Sequence, residues 1–105
     1  MELKKYFKEI VYLDTFYKNF KGLMLRKNID ENYCYILKTQ GIHTFFMKFN
    51  IDVIYLDKNN NIIRIIEDMK PWEIGPLLKK CKYVLEFRNK EFIDKVKLND
   101  KLELK

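Results

Sequence analysis

The apolar residues of this 105-residue chain come in short runs, each stopped within a few positions by Asn, Asp, Gly or Pro. None approaches the ~18–20 residues that cross a bilayer as a helix. Runs of about 4–8 residues bounded by turn formers read as β-strands. On that basis strands are expected over residues 9–13, 33–38, 42–47, 51–56, 62–66 and 83–87, with a closing strand over 101–104. Residues 62–66 are apolar on both faces apart from Arg64, the pattern of an interior strand. Asp57 to Asn61 is a hairpin turn, because Asn tolerates the left-handed conformation such turns need.

Helical signals are few. Asp14-Thr15 is a plausible N-cap before Phe16, Phe20, Leu23 and Met24, which fall at i, i+4, i+7 and i+8. A helical turn or two is expected over residues 91–96. Pro71 and Pro76 brace a loop that carries Trp72. These elements predict a single mainly-β domain over residues 1–105, a small closed β-barrel or jelly-roll-like sandwich with one or two short helices. A parallel sheet would need crossover helices that the pattern lacks.

A hydrophobic content of 48%, with 15% aromatic residues, excludes a disordered chain. The net charge of +6 invites a nucleic-acid partner. Lysine supplies nearly all of it, with Arg26, Arg64 and Arg88 the arginines, and the lysines are spread instead of blocked. Nucleic acid is therefore a lesser expectation than a small molecule or a protein. Cys34 and Cys81 are far apart and belong to no CxxC motif, so reduced thiols are expected. The N-terminus lacks the continuous apolar core of a secretory signal, and a cytoplasmic location without membrane partners is the expectation.

The stretch GIHTFFMKFNIDVIYLD (residues 41–57) sets one histidine and one aspartate among strand formers. A polar group on an inward face costs about 1–3 kcal/mol unless it finds a partner. With Ile54 and Leu56 facing inward, strand alternation puts Asp52 at the rim of their face. Arg26 and His43 are its expected partners. The functional reading is a small polar pocket of Arg26, His43, Asp52 and Glu86, walled by Trp72. The architectural alternative is a hydrogen-bonded staple at the strand junction. Trp72 in turn reads either as a binding anchor or as a cap over one end of the barrel.

Other chemistries have less behind them. Met24, His43 and Met47 are ligand types for Cu(I), yet both methionines read equally well as core fillers, and a zinc site wants more histidines or thiolates. No metal and no cofactor are expected. Cys34 and Cys81 lie in apolar surroundings that make a thiol inert. A complete catalytic set is missing, so a non-catalytic binding module is preferred over acid–base, hydrolase-like chemistry by His43 and Asp52.

Four motifs together resemble one known family. They are GLM-x-R (Gly22, Leu23, Met24, Arg26), the block IHTFFMKF-x-IDVIYLD, the RxIxDxKPW-like stretch ending at Trp72, and YVLEF at 83–87. Their order and spacing are similar to domain of unknown function family 192, also called uncharacterised protein family 0127, over about residues 10–104. The compact branch, with its signature IHTFFMRFPIDVVFLD, is the most similar. Asn50 stands where that branch has proline, and Asn89 and Asn99 stand near its glycines. Asn is the next-best residue for positive φ. The resemblance implies a mostly-β barrel or jelly-roll-like sandwich and implies no activity.

Overall fold

The computed structural model describes residues 1–13 and 29–104. One five-stranded sheet forms its centre, built from β1 (Glu9–Leu13), β2 (Tyr33–Leu37), β3 (Ile51–Leu56), β4 (Ile62–Met69) and β5 (Tyr83–Phe87). The strands lie in the order β1-β2-β5-β3-β4. β1 and β2 are parallel; the other neighbours are antiparallel. The fold is mainly β, as expected, but β1 and β4 stand at the two ends of the strand order and do not pair with each other, so the sheet is open and the closed barrel does not form. The parallel pair is a second departure. Its connection runs from residue 14 to residue 32, long enough for a crossover. The helix expected over residues 15–24 falls in that connection, outside the described residues.

Both faces of the sheet are covered, which is why all six residues of β3 are buried. On one face Ile54, Leu56, Leu85 and Phe87 pack with Leu3, Phe7, Phe92, Val96 and Leu102. A 3₁₀ turn (Leu3–Lys5) and the helix α1 (Lys90–Lys95) supply that cover. Phe7, Phe87 and Phe92 meet edge to face at 5.1–5.4 Å between centroids, geometry that adds to their burial. On the other face Val53, Tyr55 and Val84 pack with Ile29, Met47, Met69 and Cys81. Among the described residues the cover here is loops. No helix among the described residues is long and apolar enough to cross a membrane.

Several expectations need correcting. Residues 62–66 belong to β4, an edge strand, and β3 is the interior one. Two-sided apolarity at Ile63, Ile65 and Ile66 reports cover above and below, because they pack against opposite cores, and says nothing of lateral neighbours. Residues 101–104 alternate correctly, with Leu102 buried, yet make only isolated bridges, Lys101 to Asn61 and Glu103 to Glu2. Residues 42–47 are not a strand. The turn expectation holds at Asn60 and Asn99, whose φ values are 65° and 74°. Asn89 does something else. It is the extended N-cap of α1, its side-chain oxygen accepting the Phe92 N–H at 3.0 Å.

Candidate functional site

Asp52 sits on β3 opposite Phe87, on the helix-covered face. Ile51 pairs with Met69 and Val53 with Ile66, so Asp52 confronts two residues, Glu67 and Asp68, in a β-bulge. The bulge turns Asp68 to φ 55° and aims its N–H at Asp52 Oδ1, 3.0 Å away. Burial raises the Asp52 pKa; that hydrogen bond and the Arg88 charge oppose the rise. Arg88 also pairs with Asp68 at 2.7 Å. Together with Glu31, Glu67 and Lys90 these residues line a polar hollow of about 350 Å³. His43, expected as a partner of this carboxylate, is not among the groups that meet it, and Arg26 lies outside the described residues.

Glu86 is adjacent in the sheet but opposite in direction. It pairs with Val53 and Tyr35, which belong to the loop-covered core. The sheet therefore separates Asp52 from Glu86, and these two members of the expected pocket lie on opposite faces. Glu86 is 4% exposed. Among the described residues no donor hydrogen-bonds its carboxyl, and burial pushes it up to about 8.

His43, Thr44, Phe45 and Phe46 form the first of two loops over the Glu86 face. Thr44 binds it to the second. The Thr44 hydroxyl donates to the Lys70 carbonyl and accepts the Glu73 N–H at 2.9 Å. Its backbone N–H reaches the Glu73 carbonyl at 2.8 Å, and its carbonyl accepts the Trp72 N–H at 2.9 Å. His43 bridges Ile74 in the same way. Below them Tyr55 donates its buried hydroxyl to the Pro76 carbonyl at 2.8 Å, and burial pushes its pKa up to about 12. Gly75 is required here, since a Cβ would stand 2.5 Å from that hydroxyl.

The clamp displays a row of rings. His43 stacks on Phe45 (4.6 Å), Phe45 on Trp72 (5.7 Å), and Trp72 meets Phe46 (4.6 Å). Trp72 is 60% exposed and Phe46 47%. Both adopt left-handed backbone, at φ 64° and 66°. For bulky residues that conformation costs about 1–3 kcal/mol each and persists only where the surroundings enforce it. His43 Nδ1 accepts the Phe45 N–H at 3.3 Å, so in the neutral ring Nε2 carries the proton. Trp72 was legible as a loop residue, with its role left between an exposed anchor and a cap, but Thr44 was missed. A hydroxyl inside IHTFFM carries no local sign of its non-local partners.

The thiols are as inert as their apolar surroundings suggested. Cys34 and Cys81 are buried and unpaired; burial raises both pKa values, that of Cys81 to about 11. Among the described residues no group of three or more acidic, histidine or cysteine side chains is placed to hold a metal ion.

The model of domain of unknown function family 192, described as an uncharacterized ACR, matches residues 4–104. This chain belongs to that family. A UPF0127 protein of Thermococcus kodakarensis is 36% identical over 78 residues, covering 70% of this chain and 49% of the relative. One of Pyrococcus abyssi is 35% identical over 96 residues, covering 86% and 80%. The chain spans about half the length of the Thermococcus relatives it matches. Among solved structures, a Novosphingobium aromaticivorans protein of unknown function superposes with TM-score 0.75 at 19% identity, covering 90% of this chain and 73% of that one. A putative transcription regulator of Sinorhizobium meliloti gives 0.69 at 17%, covering 88% and 78%. At those identities the likeness is one of fold. The family is one of unknown function.

Proposed function

We propose that this family 192 chain is a non-catalytic binding module whose contact surface is the His43–Phe45–Trp72–Phe46 platform. The observation that carries this reading is the pair of exposed aromatics held in left-handed backbone by Thr44. Strain of that kind is tolerated where it presents a side chain for use. Exposed Ile74 and Leu77 extend the patch. Lys48, Lys70, Lys79 and Lys80 belong to the same two loops, with Glu73 as the acid among them. Aliphatic side chains do not stack on bases, so the partner chemistry that fits best is a polypeptide segment mixing apolar and acidic side chains.

In this reading Asp52 fixes the β-bulge and does not touch the partner, while Glu86 lies under the contact face. Acid–base chemistry by His43 with Asp52 draws no support, since the Asp52 carboxylate is met by the Asp68 N–H and the Arg88 charge. Peptides selected from a display library against the protein provide the test. Acidic–apolar sequences are expected to enrich, to change the fluorescence of Trp72 (the sole tryptophan) and to lose at least about tenfold in affinity, ~1.4 kcal/mol, on Trp72→Ala. Selected peptides that bind Trp72→Ala unchanged would remove the platform from the account.

A further inference from the structure

A second surface lies on the helix-covered face, away from the platform. Tyr12 pairs with Ile36 and Tyr83 with Leu56, both in the helix-side core, so both tyrosine rings stand on that face. Two open grooves of about 800 and about 650 Å³ meet there, each lined by Tyr12 and Leu104. Lys4 and Lys8 line the first; Lys58 and Lys82 line the second. Glu9 and Glu103 are the acids among the described lining residues, which together are net positive.

The tyrosines are placed, not merely present. Tyr12 is 53% exposed while its hydroxyl donates to the Leu104 carbonyl at 3.0 Å, which fixes the ring at the junction of the grooves. The Lys82 ammonium stands 5.3 Å over the Tyr83 ring. Across β2, Tyr12 lies level with Leu85, two residues from Tyr83, so the two tyrosine Cα atoms are roughly 12 Å apart. Cations along a groove with aromatic faces between them form the recognition pattern of an unpaired polynucleotide. The cations follow phosphates and the rings accept bases that a duplex would keep stacked.

We propose that this groove binds single-stranded nucleic acid without sequence preference, through Lys4, Lys8, Lys58 and Lys82 on phosphates and Tyr12 and Tyr83 on bases. The test is fluorescence anisotropy of a labelled oligouridine of about ten nucleotides. About four phosphate contacts give a log–log salt slope near −3, so affinity falls ~50-fold between about 50 and 200 mM salt. Lys8→Glu with Lys82→Glu is expected to abolish binding, and Trp72→Ala to leave it unchanged. Tyr12→Ala should weaken it at least about fivefold and Tyr12→Phe should not, which separates stacking from the Leu104 hydrogen bond. Three results overturn the proposal: no binding at the lower salt, binding insensitive to the lysine pair, or displacement by polyglutamate as effective as by unlabelled RNA. None of these bears on the peptide reading of the platform.

Discussion

Asp52 and Glu86 are carboxyls on adjacent strands, equally buried, and they live under different rules. Asp52 points to the helix-covered face, where a bulge supplies an N–H and Arg88 supplies a nearby positive charge. Glu86 points to the loop-covered face and meets neither among the described residues. The difference lies in what covers each face. One cover is a helix and the chain ends, closed by aromatic packing. Among the described residues the other is two loops pinned by Thr44, displaying rings to solvent on the side of a carboxyl whose pKa burial raises. The first face is chiefly built for stability, and the second spends some stability on display.

The largest expected effect probes Glu86. Its folded pKa lies near 8, above the usual glutamate value of 4.5, so its contribution is fully present below about pH 4.5 and is lost as pH rises through 8. Denaturant titrations across that window should show a loss on the order of 4 kcal/mol, flattened in Glu86→Gln. A flat profile in the parent protein would mean that the two carboxyls are alike. Next, Gly75→Val drives side-chain atoms into the Tyr55 hydroxyl and should cost about 3 kcal/mol, with melting lowered by ~4–8 °C per kcal/mol. Thr44→Val keeps the shape and removes the hydroxyl, leaving the Glu73 N–H short of its acceptor. A loss of about 2 kcal/mol with altered Trp72 fluorescence is expected, and unchanged fluorescence would show that Thr44 does not hold the ring.

Asp52→Asn keeps an acceptor for Asp68, and the pairing lost with Arg88 is offset by removing a charge that burial disfavours, so its cost should stay within about 1 kcal/mol by thermal melting. A larger cost than that of Thr44→Val would reverse the ranking of the two faces. Trp72→Ala should alter stability least, within ~0.5 kcal/mol, because the ring is mostly exposed and the backbone strain remains.

The sequence announced the strands that carry strong apolar runs. Residues 9–13, 51–56 and 83–87 coincide with β1, β3 and β5, and 33–38 overruns β2 by one residue. Period-2 patterning also suggested a strand at 42–47, and failed there. The Thr44 N–H and carbonyl are taken by Glu73 and Trp72 almost thirty residues on, contacts that no local window contains. Sheet closure and order failed for a related reason. Alternation says which residues share a face and leaves open which strand lies beside which, so the parallel β1–β2 pair and the edge position of β4 were invisible. The sequence marked Asp52 as the rim residue of an inward face and Glu86 as a member of the same polar pocket. Their opposite directions follow only from the register that sets Val53, not Asp52, against Glu86.

The most direct test of the two-faced account compares Trp72→Ala with Asp52→Asn in binding a library-selected acidic–apolar peptide, both variants first shown to be folded. The account predicts that Trp72→Ala loses at least about tenfold in affinity while Asp52→Asn stays within about twofold of the parent. Loss confined to Asp52→Asn would place the contact surface on the helix-covered face and contradict it.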